Sequence, residues 1–324
     1  MESKFFKKPK QLWVALIVIS IVLCMFSWNV QSEEKLSKSR KEPILVFPVI
    51  SDIHIKQSGT MDMQKFQEAL EQLNEQAPKQ DAFVVVGDLT DKGLKEEYDR
   101  FFSIYDVKKQ PQAISLFTIG NHEYWNGLSE ADAQKRFLAE TGMDSIYDHK
   151  VIKGYHFIIL GPENGLTKGY YSTKQINWLG EQLEQAAKDD PKKPIFVFQH
   201  QPIKNTVIGS KSTTELNRDF LYNTLKEYPQ VIHFSGHSHY PLYDPRTLYQ
   251  KDFTSVGTSS VSYITTGIGF LLGELPPGYQ YISQGLIVEV YKNKVVIKRR
   301  DFHKNDWTGE PWVIQLPVKA NTLN

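Results

Sequence analysis

Apolar runs of strand length recur along the chain at residues 44–50, 82–86, 114–119, 156–160, 195–198 and 231–234. They are rich in Val, Ile and Phe and almost continuous in their apolarity, which predicts strands buried on both faces. Between them, apolar residues fall at helical spacing: Phe66, Leu70 and Leu73 share one face, and Ile176, Leu179 and Leu183 share another. Ser172-x-x-Gln175 before the latter has the spacing of a capping box. Strands alternating with helices predict βαβ units in a layered α/β fold. From Gly285 the pattern changes, and runs at 286–291 and 295–298 flank Lys292-Asn293-Lys294, a predicted hairpin. Pro48 interrupts the first run with a residue that cannot donate to a ladder, so a bulge or an unpaired edge position is expected there.

The N-terminal stretch follows neither pattern. Lys4, Lys7, Lys8 and Lys10 precede an uncharged apolar run, residues 12–28, broken only by Ser20 and Ser27. Its length is just sufficient for a membrane span, and lysines before it put the N-terminus in the cytoplasm and the rest of the chain outside. The expected organisation is a basic cytoplasmic segment (1–11), a transmembrane anchor or signal peptide (12–30), a polar linker (31–42) and one domain (43–324). Cleavage near Val30-Gln31-Ser32 is the competing reading and would release a secreted protein. Cys24, the one cysteine, lies inside the apolar run, so no intramolecular disulfide can form.

Composition narrows the function classes. With 324 residues, a formal net charge of +1 and 40% hydrophobic content, the chain has material for a real core and no basic excess pointing to nucleic acid.

The chemistry collects where the apolar runs stop. Residues 44–50 lead into Asp52-Ile53-His54, 82–86 into Gly87-Asp88, 114–119 into Gly120-Asn121-His122-Glu123, 195–198 into Gln199-His200, and 231–234 into Gly236-His237-Ser238-His239. In open α/β sheets, ligands bind beyond the carboxyl ends of the strands. If each segment stays extended, Asp52 and His54 point the same way, as do His237 and His239, and each pair grips a cation from one side. The glycines before Asp88, Asn121 and His237 are expected to supply tight turns. Imidazole, carboxylate and amide oxygen without thiolate suit Mn, Fe, Zn or Mg. The set Asp52, His54, Asp88, Asn121, His200, His237 and His239 exceeds what one tetrahedral ion needs and fits two cations sharing a carboxylate, about 3.5–4 Å apart.

In this order, Asp-x-His, Gly-Asp, Gly-Asn-His-Glu, a lone His after a strand and Gly-His-x-His resemble the calcineurin-like metallophosphoesterase superfamily over residues 43–240. The resemblance implies a two-sheet α/β sandwich flanked by helices. It also implies that Asp52, His54 and His239 bind one metal, that Asn121, His200 and His237 bind a second, and that Asp88 bridges them. His122 matches the histidine that assists the leaving group. The expected protein is then a membrane-anchored, outward-facing dimetal hydrolase of phosphomonoesters or phosphodiesters. A metal-binding scaffold that keeps the fold without turnover is the alternative.

Other residues carry weaker expectations. His156 and His233 read as structural, and His149 and His303 as solvated. Asp91 could support a ligand or cap a turn; Glu123 could orient a histidine or sit on the surface. Tyr124, Trp125, Tyr240 and Tyr243 are expected to wall a substrate cleft shaped by residues 124–150 and 201–230. Residues 267–273 are glycine-rich without nucleotide-loop spacing and read as a loop.

Overall fold

In chain order the elements of the computed structural model are β1 (Leu45–Ile50), α1 (Met61–Gln76), β2 (Ala82–Val86), α2 (Lys95–Lys108), β3 (Ile114–Thr118), α3 (Glu130–Thr141), β4 (Asp148–Ile152), β5 (Tyr155–Ile159), α4 (Thr173–Asp189), β6 (Ile195–Gln199), α5 (Arg218–Lys226), β7 (Val231–Ser235), β8 (Leu248–Gln250), β9 (Thr254–Gly257), β10 (Gln284–Val290), β11 (Lys294–Asp301), β12 (Asp306–Trp307) and β13 (Trp312–Gln315). The structure describes residues 42–212, 217–265 and 278–317. The apolar run 12–28 and the loop 267–273 lie outside them. Among the described residues no helix is long and apolar enough to cross a membrane.

Two mixed sheets form. The first runs β12-β11-β10-β1-β2-β3 with β13 also on β11, and the second runs β4-β5-β6-β7-β9-β8. β1, β2 and β3 are parallel, as are β5, β6, β7 and β9. β10 and β11 pair as the predicted antiparallel hairpin. The continuous apolarity of β2, β5, β6 and β7 has its physical reason here, since every residue in them is buried.

Phe47 of β1 reaches across the sandwich to Phe157 and Phe196, with ring centroids 4.9 Å away in both cases, and Phe198 and Phe234 complete the cluster. On the outer face of the first sheet, Phe66, Leu70 and Leu73 of α1 and Phe101 of α2 join the same core. Ile176, Leu179 and Leu183 of α4 and Leu221 and Leu225 of α5 pack against Ile158, Val197 and Val231 on the outer face of the second. The result is helix, sheet, sheet, helix, each layer burying the apolar face of the next.

Two local expectations are corrected. Pro48 occupies neither an edge nor a bulge: β1 lies between β10 and β2, and its register continues through Pro48↔Ile287. The backbone of Val46, two residues earlier, bonds to Asp81 before β2, so strand alternation turns the Pro48 nitrogen to that side. Pairing with β2 begins only at Val49↔Val84, one residue after the proline. The capping box of α4 is half formed. Ser172 Oγ accepts from Gln175 N, but the Gln175 side chain turns away to bridge the backbone of Gly161.

Candidate metal centre

The loops after β1, β2 and β7 are not extended. Asp52, His54, Asp88, His237 and His239 all adopt left-handed backbone, with φ of 53, 51, 52, 63 and 52°. Convergence of the i, i+2 pairs therefore comes from repeated kinks rather than strand alternation. Each such non-glycine residue costs on the order of 1–3 kcal/mol, which the surroundings must offset. They do so by backbone pairing: Asp52 N donates to Gly87 O, Ile53 and His54 N donate to Asp88 O, and Ile55 N donates to Leu89 O. Both oxygens of the Asp52 carboxylate lie 3.0 Å from His237 N, holding the β7 loop against the β1 loop.

Of the glycines expected to make turns, only Gly87 has a positive φ, at 78°. Gly120 is required for clearance, because a Cβ there would strike the Asp88 carboxylate. Gly236 is packed as tightly against Ser51 and Asp52.

The predicted residues meet at one rim. Asp52, His54 and His239 form one group of converging donor atoms, Asp88, His200 and His237 a second, and His54, Asp88 and His122 a third that links them. Asp52 Oδ1 is 3.0 Å from His239 Nε2, and His54 Nε2 is 3.3 Å from the same nitrogen. Asp88 Oδ2 is 3.0 Å from His200 Nε2 and 3.9 Å from both His54 Nε2 and His122 Nε2. Asn121, also buried, accepts at Oδ1 from Gln201 Nε2 at 3.4 Å, beside His200.

Backbone carbonyls set the tautomers. Nδ1 of His122 donates to Asp91 O at 2.7 Å, Nδ1 of His200 to Val86 O at 2.9 Å, and Nδ1 of His239 to Tyr263 O at 3.0 Å. In each ring Nε2 is thereby left facing the carboxylates. Asp91 thus supports a histidine through its main chain, not through the carboxylate that the sequence singles out. Glu123 neither touches a histidine nor reaches the surface. It is fully buried and accepts from the backbone N–H of Asp88, Thr90 and Gly120 and from Thr90 Oγ1, at 2.8–3.0 Å, clamping the β2 loop to the β3 loop. Burial and the nearby Asp88 charge push its carboxyl up to about 7.

The aromatic expectations divide. Tyr124 is buried and donates to Pro162 O, so it belongs to the packing. Tyr240 is likewise buried, whereas Tyr243 is half exposed and bonds Tyr279. Trp125 stands at the rim, its ring 3.8 Å from that of His122. Tyr263, which sequence reasoning missed, packs its ring on His239 and His54 at 4.4 and 5.8 Å. Neither it nor the supporting carbonyls sit in a motif that could have flagged them. His149 is not freely solvated, since its Nε2 lies 2.8 Å from His156 Nδ1.

Whether these donors suit cations can be read from their partners. Asp52 and Asp88 are fully buried, and among the described residues their ion-pair partners are all imidazoles. Burial pulls His237 down to about 3, with the His200 charge adding to it, and burial with the His122 charge holds His54 well below the usual range. On His200 burial also acts downward, but the charge of Asp88 overrides it and raises that ring to about 9. Nε2 of His200 and Nε2 of His237 are buried without an aligned hydrogen-bond partner. Buried carboxylates, imidazoles kept neutral at His54 and His237, and a buried His237 Nε2 without a hydrogen-bond partner fit divalent cations.

The sequence pattern of the calcineurin-like phosphoesterases matches residues 45–241, through all five loops. The chain belongs to this family. It is a metal-dependent phosphoester hydrolase whose cofactors are two divalent metal ions. As a calcineurin-like phosphoesterase it is 27% identical over 204 residues to a protein of Arcobacter nitrofigilis named "Probable glycerophosphodiester phosphodiesterase", covering 59% of this chain and 70% of that one. It is 29% identical over 208 residues to a cAMP/cGMP dual specificity phosphodiesterase of Mycobacterium tuberculosis, covering 61% of this chain and 63% of that one. In fold it is similar to a dimetal phosphatase from Danio rerio, with a TM-score of 0.61 at 13% identity over 85% of this chain and 99% of the other.

Proposed function

We propose that this calcineurin-like phosphoesterase hydrolyses phosphodiesters, with Asp52, His54 and His239 holding one cation, Asn121, His200 and His237 the other, and Asp88 shared. The observation that carries the reading is Asp88 Oδ2, within 3.0 Å of His200 Nε2 and 3.9 Å of His54 Nε2, so that one carboxylate oxygen faces both groups. When bound, the pair of cations supplies polarisation of the phosphoryl oxygens and a water acidic enough to attack near neutral pH. The chain holds the rest in place. As the imidazolium, His122 delivers the proton on Nε2 to the departing oxygen, while Nδ1–H stays on Asp91 O and fixes the ring. Trp125 covers one face of that ring and limits its rotation and its access to water. Glu123 keeps the Asp88 and His122 loops in register without touching substrate.

Two relatives whose names specify phosphodiesters support the diester over the monoester. A panel of alkyl and aryl phosphomonoesters and phosphodiesters, each assayed with Mn, Mg, Zn and Fe, tests it. Faster turnover of diesters is expected, and exclusive monoester turnover would overturn the reading. The apolar run 12–28 with lysines before it supports a single-pass anchor, with a catalytic part at residues 43–324 facing outward. Protease digestion of intact cells should remove that part, and its full protection would contradict the orientation.

A further inference from the structure

Lys65 is a charged residue without a part in the chemistry so far, and it is buried. It lies on the inner side of α1, about nine-tenths withdrawn from solvent, and its Nζ donates to two main-chain carbonyls, Ser262 O and Gln280 O. A lysine so placed forgoes most of its hydration, so these two bonds must have structural consequence. Burial brings its ammonium down to about 8.

The carbonyl of Ser262 belongs to a strap that wraps the first group of donors. Val261 N donates to Ser51 O, and Ser262 N and Ser260 Oγ both donate to Asp52 O. Further along, Tyr263 O receives the Nδ1 proton of His239, and Thr265 N donates to His239 O. The strap thus holds Asp52 and His239 from behind, and the Tyr263 ring packs on both His239 and His54. All three residues of that group touch one six-residue segment, 260–265. Gln280 N–H and C=O sit on a different stretch, next to Tyr279, whose carbonyl takes the N–H of Ile264. Lys65 joins this second stretch to the strap. Among the described residues no lysine reaches the Asp88, His200 and His237 group, which leans instead on Val86 O and on the Glu123 carboxylate.

We propose that Lys65 is a positioning residue for the first cation alone, setting the strap 260–265 so that Tyr263 O meets His239 Nδ1. The proposal rests on the ligand assignment given under Proposed function. Residues behind metal ligands commonly contribute about 10–100-fold in metal affinity, and Lys65, acting through the strap, belongs near the lower end.

Calorimetric titration of the metal-free full chain with Mn²⁺ tests it. The wild-type chain should take two ions, and Asp52→Asn identifies the step belonging to the first group. Lys65→Met should weaken that same step about tenfold and leave the other unchanged, and Lys65→Arg, which keeps donors for both carbonyls, should restore most of the loss. Equal affinity at both steps in Lys65→Met, or equal weakening of both, overturns the role of Lys65 while leaving the ligand assignment standing. A wild-type chain without two steps overturns the assignment itself. Should Lys65→Met fail to fold, Lys65→Gln, with one donor group, is expected to show a partial loss at the first step only. Unchanged affinity there is equally fatal.

Discussion

Two groups of imidazoles are withdrawn from water in this chain, and they are satisfied in opposite ways. At the rim, His122, His200 and His239 each give Nδ1–H to a backbone carbonyl, which cannot swing or titrate, and Nε2 is left aimed at Asp52 and Asp88. At the edge of the second sheet, His149 and His156 bond each other, with Gln182 on one side and Asp189, 3.2 Å from His156 Nε2, on the other. The edge pair closes on itself and needs nothing more. The rim cluster leaves ring nitrogens over and holds two buried carboxylates without Lys or Arg among their described partners, an arrangement that a pair of cations completes. Direction of the spare lone pairs, not the number of histidines, separates a site from a packed polar pair.

The contrast can be broken most forcefully at Asp88. Asp88→Asn should lower kcat by about 10³ and weaken both metals, since one charge serves both groups. Steady-state kinetics with metal content measured on the same sample checks this, and normal turnover with two tightly held ions would remove the shared role. Next in size is Glu123→Ala, which strips partners from three buried backbone donors and a hydroxyl. A loss of about 3 kcal/mol in denaturant-derived stability is expected, and a loss below measurement error would mean the loops do not depend on that clamp.

His122→Ala sharpens the rim side. A general acid matters where the leaving oxygen needs a proton, so kcat should fall about 10²-fold on an alkyl phosphodiester and far less on its nitrophenyl counterpart. Equal losses on the two would assign the ring to something other than proton delivery. The smallest effect belongs to the edge pair. Burial first, and the His149 charge second, hold His156 below its ordinary 6.5. A folded-state value below the unfolded one means that its contribution is complete above pH 6.5 and is lost as pH falls below it. His156→Gln should therefore flatten the acid limb of stability against pH and leave kcat within about twofold, since Gln keeps a hydrogen bond worth about 1 kcal/mol. A changed kcat would tie the edge to the site after all.

Of the strands that carry the rim, β1, β2, β6 and β7 were legible because burial makes them almost continuously apolar, and β3, at an edge with Ile114 exposed, because its run keeps enough apolar residues. β4, β8 and β12 were not, for they lie at edges, and in β4 only Ile152 is buried. Residue types and order along the chain brought the eight rim residues into view. Their means of convergence was hidden, because left-handed φ at Asp52, His54, Asp88, His237 and His239 leaves no mark in residue pattern when the residue is not glycine. The carbonyls of Val86, Asp91 and Tyr263 were hidden for a simpler reason: any residue supplies one. Glu123 was visible as a neighbour but not as a clamp, since its partners at Asp88 and Thr90 lie more than thirty residues away.

The shared oxygen of Asp88 is the claim on which the rest depends. Electron paramagnetic resonance of the full chain, stripped of metal and reloaded with Mn²⁺, tests it most directly. Two ions per chain with an exchange-coupled spectrum are expected in the wild type, and loss of that coupling in Asp88→Asn. A single ion, or two whose spectra remain those of isolated Mn²⁺, would contradict it.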